Sequence, residues 1–182
     1  PPVLDSERAT LDFLASHGVP VVPGEVVRDA GSALSAASKF GTPVVLKIAS
    51  PDIAHKTEAG GVVLGIQDEK ALADALKTIR TRVFAYRKDA RIAGFLLQKM
   101  ERGLGEVLLG YRLDPLVGPT VVLGTGGILS EVYGDVAIRI APVSKATARE
   151  MIEEVKGLAP LRGYRGLPEG DLDALAQAIV AL

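Results

Sequence analysis

Apolar positions recur at helical spacing in some stretches of the chain and at strand spacing in others, and the two kinds of stretch follow one another from end to end. From Ser6 to His17 the order S-E-R-A-T-L-D-F-L-A-S-H predicts a short helix, with Ser6 as N-cap, Leu11 and Leu14 on one face and Gly18 closing it. Pro20 to Val27 is β-branched and broken by prolines, so it reads as extended, and Ser32 to Phe40 reads as a second short helix ending at Gly41. Pro43 to Ala49, P-V-V-L-K-I-A, is a strand whose nearly continuous apolar character implies burial on both faces, with Lys47 the one charge inside it. Ser50 to Gly61 has no period, and the strand Gly61 to Ile66 follows, so the two strands form a hairpin-like unit with a long tip. Asp68 caps a helix of about six turns in which Leu72, Leu76, Ile79 and Val83 form the apolar stripe.

The second half is mostly strand: Gly94 to Met100, Glu106 to Leu113, Pro119 to Leu123 and Val136 to Val143, with turns at Asp114-Pro115 and at the glycine cluster 124 to 127. Ser144 caps a helix that turns Ala148, Met151, Ile152 and Val155 inward before Gly157. A loop rich in Gly, Pro and Arg runs from Leu158 to Gly170, and Asp171 caps a last helix whose buried side is Leu172, Leu175, Ala176, Ile179 and Val180. This order predicts a mixed α/β chain of the α+β kind, made of two lobes that are each a largely antiparallel sheet with helices on one face. We place the lobes at residues 1–97 and 98–182, with the aperiodic loop 50–61 in the first. They are expected to meet near Gln98 to Gly105, with a crevice able to take a nucleotide between them.

Composition narrows the classes. The 182 residues are 48% hydrophobic and 24% charged, close to the globular average, and apolar runs such as Val44 to Leu46 are far short of a bilayer span, so no membrane role is expected. Lys and Arg number 21 against 22 Asp and Glu, totals that imply no basic face and weaken a nucleic-acid reading while leaving a local patch open, so no nucleic-acid partner is expected. There is no cysteine, which excludes disulfides and thiolate metal sites and fits a reducing, cytoplasmic setting. The chain starts Pro1-Pro2-Val3 with no leader, and its last helical pattern runs into Leu182 without a glycine cap, so it reads as a fragment of a longer product.

Lys47 is the first candidate, because an ammonium in an apolar strand must reach a carboxylate, the surface or an anionic ligand. The excursion S-P-D-I-A-H-K-T-E-A-G-G offers the second set: the amides of Gly60 and Gly61, the Thr57 hydroxyl and the Lys56 ammonium can together cradle phosphate oxygens. Neither a P-loop nor a dinucleotide-binding glycine fingerprint is present. His55 lies in the same excursion, where a neutral imidazole can attack phosphorus and leave again; a solvated loop histidine is the plain alternative. His17, at a helix end, reads as a partner of terminal carbonyls. Backbone groups at the strand end Gln98, Lys99 and Met100 can meet adenine, and Glu106 can accept from ribose hydroxyls, or else these charges only decorate a hairpin. Gly124, Gly126, Gly127, Glu131, Asp135 and Arg139 form a last group, readable as turn chemistry and a solvated strand face, or as a Mg²⁺-holding carboxylate with an arginine that balances phosphoryl charge. Taken together the candidates describe phosphoryl transfer.

The strings P-V-V-L-K-I-A-S-P-D-I-A-H-K-T-E-A-G-G-V at 43–62, G-P-T-V-V-L-G-T-G-G-I-L-S-E-V at 118–132 and G-Y-R-G at 163–166 resemble the ATP-grasp domain of ADP-forming (NDP-forming) acyl-CoA synthetases. That is the nucleotide-binding component similar to the succinyl-CoA synthetase β subunit, and the resemblance covers essentially the whole chain. It implies an ATP-grasp fold, here C-terminally truncated, and a reversible reaction in which acyl-CoA, ADP and phosphate give a carboxylic acid, CoA and ATP. It further implies His55 as the relay histidine on the nucleotide side, Lys47 as the strand lysine on the phosphates, Gln98 to Met100 as the adenine hinge, Glu106 as the ribose-side glutamate and Glu131 as a carboxylate facing the phosphates. ATP or ADP with Mg²⁺ are the implied cofactors, with Glu131 a possible metal ligand and further ligands expected beyond Leu182. The implied partner is a CoA-binding Rossmann domain or subunit, through which CoA and the acid reach the enzyme, and the fragment alone is expected not to turn over acyl-CoA. Two other members of the wider class stay open on sequence: a regulatory domain fused to a protein lysine acetyltransferase, and a ligase joining a carboxylate to an amine.

Overall fold

A computed structural model describes residues 6–127, 132 and 134–182. The chain separates into two compact units. The first holds helix α1 (Glu7–Ser16) and Pro20–Glu101, the second His17–Val19 and Arg102–Leu182.

In the first unit, strands β1 (Gly24–Val27), β2 (Val44–Ala49), β3 (Val62–Ile66) and β4 (Gly94–Lys99) form an antiparallel sheet in the order β1-β4-β2-β3. Helices α2 (Ala30–Phe40) and α3 (Glu69–Tyr86) supply Ala33, Ala36, Leu72, Leu76, Ile79 and Val83 to one core with Val27, Val44, Leu46, Ile48, Phe95 and Leu97 of the sheet. Alternation along β2 therefore sends Val44, Leu46 and Ile48 to the helices and Val45, Lys47 and Ala49 to the other face. Val45 and, across from Lys47, Leu96 are also buried, so the strand is covered on both faces as its composition predicts.

Strand β1 is shorter than the extended stretch predicted, because Pro20 and Pro23 cannot donate to a ladder. Helix α2 begins two residues earlier than predicted: Asp29 is its N-cap, and Asp29 and Ser32 form a reciprocal capping box. Helix α3 is capped by Asp68, whose carboxylate accepts from the Ala71 N–H at 2.8 Å, and its 18 residues make five turns where about six were expected.

In the second unit, β5 (Val107–Asp114), β6 (Gly118–Thr125) and β7 (Val136–Ile140) form an antiparallel sheet in sequence order. The β5–β6 turn is closed by the Asp114 carboxylate, which accepts from the N–H groups of Leu116 and Val117. Val121, Leu123 and Ala137 pack with Ala148, Met151 and Ile152 of α4 (Lys145–Glu154) and Ala176 and Ile179 of α5 (Leu172–Val180). Ser144 and Asp171 cap these helices. Strand β7 stops short of the predicted Val143, since Pro142 has no N–H to extend the pairing. Val180, predicted on the buried side of the last helix, is exposed, while Leu172 and Leu175 are half-buried and only Ala176 and Ile179 are fully enclosed. The predicted loop 158–170 is partly ordered as 3₁₀ turns at Lys156–Leu161 and Tyr164–Gly166.

Leu46 is wholly enclosed between β2 and the two helices. Leu46→Ala is expected to cost about 3 kcal/mol, read as a lower urea midpoint for the first unit at unchanged slope.

Candidate functional site

Lys47 meets a carboxylate that the sequence reading did not assign to it. Its Nζ lies 2.6 Å from Glu7 Oε1, and Lys56 Nζ lies 3.2 Å from Glu7 Oε2, so one carboxylate bridges two ammonium groups from a strand and a loop. Helix α1 presents Glu7 in its first turn, where Ser6 caps the helix through the Ala9 N–H, and Arg8 fixes the helix to β1 by donating to the Gly24 carbonyl at 2.8 Å. All three charged groups are half-buried. Burial by itself raises the Glu7 carboxyl, but hydrogen bonds and charge from Lys47 and Lys56 outweigh it and hold the group below its ordinary 4.5. The signal in the sequence was the unpaired Lys47 itself; its partner stands 40 residues upstream in a helix turn where an acidic residue is unremarkable.

Glu7, Lys47, His55, Lys56, Thr57 and Glu58 line one open cleft of about 380 Å³. His55 and Thr57 are exposed on its loop, and Lys56 is half-buried. A neighbouring groove of about 640 Å³ shares Glu7, Ala54 and Lys56 and is otherwise lined by α1, β2, the start of the loop, Val26 of β1, and Ala93 and Leu96 at and before β4. The structure thus brings Lys47, His55, Lys56 and Thr57 together.

The two glycines serve the loop differently from the sequence expectation. The Gly60 N–H donates to the Thr57 carbonyl at 3.0 Å and the Gly61 N–H to the Lys56 carbonyl at 2.7 Å, so both amides are turned into the loop and do not face an anion. Gly61 is required by space: a Cβ there would stand 2.5 Å from Ile48 Cγ2 and 3.0 Å from the Lys56 carbonyl oxygen. The other end of the loop is held by Asp52, which takes two side-chain hydrogen bonds and one backbone hydrogen bond from Arg91. The Arg91 guanidinium and its backbone N–H, with Arg87 nearby, hold the Asp52 carboxyl well below the ordinary carboxylate range.

Gln98 and Lys99 end β4, with Gln98 buried and paired across to Val45 and Gly24. The Lys99 N–H donates to the Pro23 carbonyl and the Met100 N–H to the Pro43 carbonyl, both at 3.0 Å, so these amides are committed to the sheet edge and are not open to an adenine. The Lys99 ammonium pairs with Glu101 at 2.5 Å. In the second unit Glu106 is exposed; its carbonyl accepts from the Gly126 N–H at 2.9 Å, and a Cβ on Gly126 would stand 2.8 Å from the Glu106 carbonyl carbon. The glycine cluster is therefore a close approach of β6 to the start of β5. Arg139 donates to Glu154 at 2.6 Å and to the Ile138 carbonyl at 2.9 Å, a surface pair between β7 and α4. Asp135 accepts from the N–H of Gly157 at 2.6 Å and anchors the turn after α4. Glu131 lies outside the described residues. Among the described residues no group of three or more His, Asp or Glu side chains is placed to hold a metal ion, and no helix is long and apolar enough to cross a membrane.

Residues 3–182 match the ATP-grasp domain family. Over 173 residues the chain is 40% identical to the ADP-forming acetate–CoA ligase I of Archaeoglobus fulgidus, covering 93% of this chain and 25% of that protein. It is 38% identical over 174 residues to the beta subunit of the ADP-forming acetate–CoA ligase I of Pyrococcus furiosus, covering 96% of this chain and 75% of that one. The chain thus spans a quarter of the first relative and three quarters of the second. Among solved structures it superposes on the dinucleotide-forming acetyl-coenzyme A synthetase 1 of Ca. Korarchaeum cryptofilum. The complex with coenzyme A, Ca-AMPCP and HgCl⁺ gives a TM-score of 0.91 at 34% identity, over 97% of this chain and 77% of that one. The same enzyme with coenzyme A and Mg-AMPPCP, its phosphohistidine segment pointing towards the nucleotide binding site, gives 0.81 at 32%, over 97% and 76%.

Since Glu7 and Asp52 titrate below their unfolded values, each contributes stability that is fully present above the unfolded value and lost as pH falls through the folded one. Thermal melts of the wild type, Glu7→Gln and Asp52→Asn are expected to differ most near neutrality, to begin converging only as pH falls below the ordinary carboxylate values, and to meet at a lower pH for Asp52→Asn than for Glu7→Gln.

Proposed function

The chain belongs to the ATP-grasp domain family, in its ADP-forming acyl-CoA synthetase branch, and on that premise we propose that it is the nucleotide-binding component of such a synthetase with His55 as its phosphoryl carrier. The observation that carries the reading is the cleft in which an exposed histidine shares its walls with two ammonium groups held by one carboxylate. Lys47 and Lys56 offset charge on a phosphoryl group, and His55 stands on the loop between them in sequence. In the ATP-consuming direction an imidazole nitrogen attacks the terminal phosphorus, the bond to the bridging oxygen breaks, and ADP leaves; the other ring nitrogen keeps its proton. Because nitrogen–phosphorus bonds retain high transfer potential, the same step runs backward onto ADP.

The donor set fits nucleotide phosphates: two lysines, a hydroxyl at Thr57 and a histidine converge on one open cleft. Mg²⁺ bound with the nucleotide neutralises phosphate charge. Within the proposal Gln98, Lys99 and Met100 serve the adenine through groups other than the Lys99 and Met100 amides, which are already used. Glu106 serves the ribose and Glu131 the phosphates, while Arg139 acts on phosphate only by exchanging Glu154 for it. The relatives' subunit organisation supports a partner that binds CoA and the carboxylic acid, of the Rossmann type that the resemblance implies. A cytoplasmic setting, where ATP and CoA are made and used, belongs to the same proposal.

The test is performed on the complete synthetase, with the CoA-binding region present. Incubation with γ-labelled ATP and Mg²⁺ is expected to place an acid-labile, base-stable label on the segment containing His55, and His55→Ala to remove it while leaving the fold intact by circular dichroism. Label on that segment at wild-type level in the variant refutes the carrier role. A chain that binds ATP and never labels is a regulatory relative of the same fold.

A further inference from the structure

Glu7 is not among the residues that the resemblance assigns a role, yet it organises the cleft. Its two contacts are unequal in kind. Lys47 belongs to a strand paired on both sides, opposite Val62 and Leu96, and meets Glu7 at 2.6 Å. Lys56 belongs to the loop and meets the other oxygen at 3.2 Å. Helix α1, which carries Glu7, is tied to β1 by Arg8. When one contact yields, it is therefore the one to Lys56.

We propose that Glu7 is a positioning residue: its carboxylate occupies the anion position between Lys47 and Lys56 and latches the His55 loop to the sheet until a phosphate group takes Lys56 from it. The inference rests on the phosphate reading of the cleft given above. A phosphate dianion outcompetes a carboxylate for an ammonium on charge alone, and its oxygens accept from both lysines at once. Lys56 follows His55 directly in the chain, so phosphate carried on His55 reaches the ammonium that the latch engages and repels the Glu7 carboxylate that it leaves. Phosphate occupancy and release of the loop are thereby one event. Asp52 on Arg91 and the Gly61 turn on Ile48 stay in place as the ends about which the loop moves.

Two readouts on the 182-residue chain test this, one of them without ligand. Trypsin needs the Lys56 side chain in its specificity pocket, so Glu7→Gln is expected to speed cleavage after Lys56 about fivefold relative to cleavage after the exposed Lys88. With inorganic pyrophosphate as the probe, calorimetry is expected to show about tenfold tighter binding by Glu7→Gln, because the competing charge is gone. Glu7→Asp, which keeps the carboxylate, is expected to restore both towards wild type. If Glu7→Gln instead speeds cleavage after Lys56 and Lys88 alike and leaves pyrophosphate affinity unchanged or weaker, Glu7 only pins α1 and the latch is overturned. Pyrophosphate binding that Lys47→Met and Lys56→Met leave intact overturns the phosphate reading itself, whatever trypsin shows.

Discussion

A lysine on a sheet face that is largely apolar is the constraint around which the first unit is arranged. Lys47 stands between Val45 and Ala49 on the face away from α2 and α3 and across from the buried Leu96, where an unpaired ammonium is unfavourable. A single carboxylate removes most of that cost, but only if a helix is held over this face at the right height. Arg8 supplies the hold by donating to the Gly24 carbonyl on β1, one residue along from the carboxylate it serves to place. A second lysine on the same carboxylate then brings the loop down to the sheet. Three elements distant in sequence are thus joined through two oxygens, and the side chains nominated for phosphate chemistry in this unit gather at that junction.

The loop from Ser50 to Gly61 is built to be firm at its ends and open in the middle. At its start Asp52 is gripped by three donors of Arg91, and the Arg87 guanidinium donates to its carbonyl. At its close the Gly61 carbonyl accepts from the Ile48 N–H at 2.7 Å, and the absent Cβ lets the backbone lie against the Ile48 side chain. Buried Ile53 and Ala59 add apolar anchors near both ends. The segment between them, with His55, Thr57 and Glu58, projects exposed side chains. A histidine that must accept a group and pass it on needs that combination, because a fully mobile loop forfeits orientation and a packed one forfeits access.

Helices were readable in the sequence wherever the apolar stripe was long and the cap was an Asp or Ser next to it, as at Asp68, Ser144 and Asp171. Asp29 was overlooked because Ser32, its partner in the capping box, is also a capping residue type and stands nearer the apolar stripe. The lysine anomaly was visible, while its solution was not: no local rule links Glu7 to Lys47 across a helix, a strand and another helix. The same holds for Arg139, whose charge suggested a phosphate and whose position on β7 gives it Glu154 of α4. Glycine amides misled for another reason. Composition reveals that Gly60 and Gly61 permit a tight turn, but whether their N–H groups point outward or back to Thr57 and Lys56 depends on backbone angles that composition does not fix. Val180 failed by position, since one helical step past Ile179 leaves the buried stripe.

Carboxylates serve two ends in this chain, as structural ties in both units and as the shared centre of the Lys47–Lys56 cleft. In the second unit the acidic side chains with strong contacts cap a helix, close turns or pair on the surface: Asp171 caps α5, Asp114 holds the β5–β6 turn, Asp135 the turn after α4, Glu154 neutralises Arg139, and Asp173 is shared by the exposed Lys145 and Arg149. The ion pairs among them, including the one-carboxylate, two-cation cluster at Asp173, are exposed to solvent and screened, so they stabilise shape and little else. In the first unit Glu7 is shared by two cations, and Glu58, which also lines the cleft, is exposed and solvated. The Glu7 cluster carries one positive charge more than its negative charge, in a half-buried setting where screening is incomplete. A half-buried cluster with surplus positive charge is well placed to receive an anion. Burial of that imbalance sets the Glu7 cluster apart from the exposed Asp173 cluster of the second unit, and it is why the case for phosphate rests on Lys47, Lys56 and Glu7 more than on any glycine.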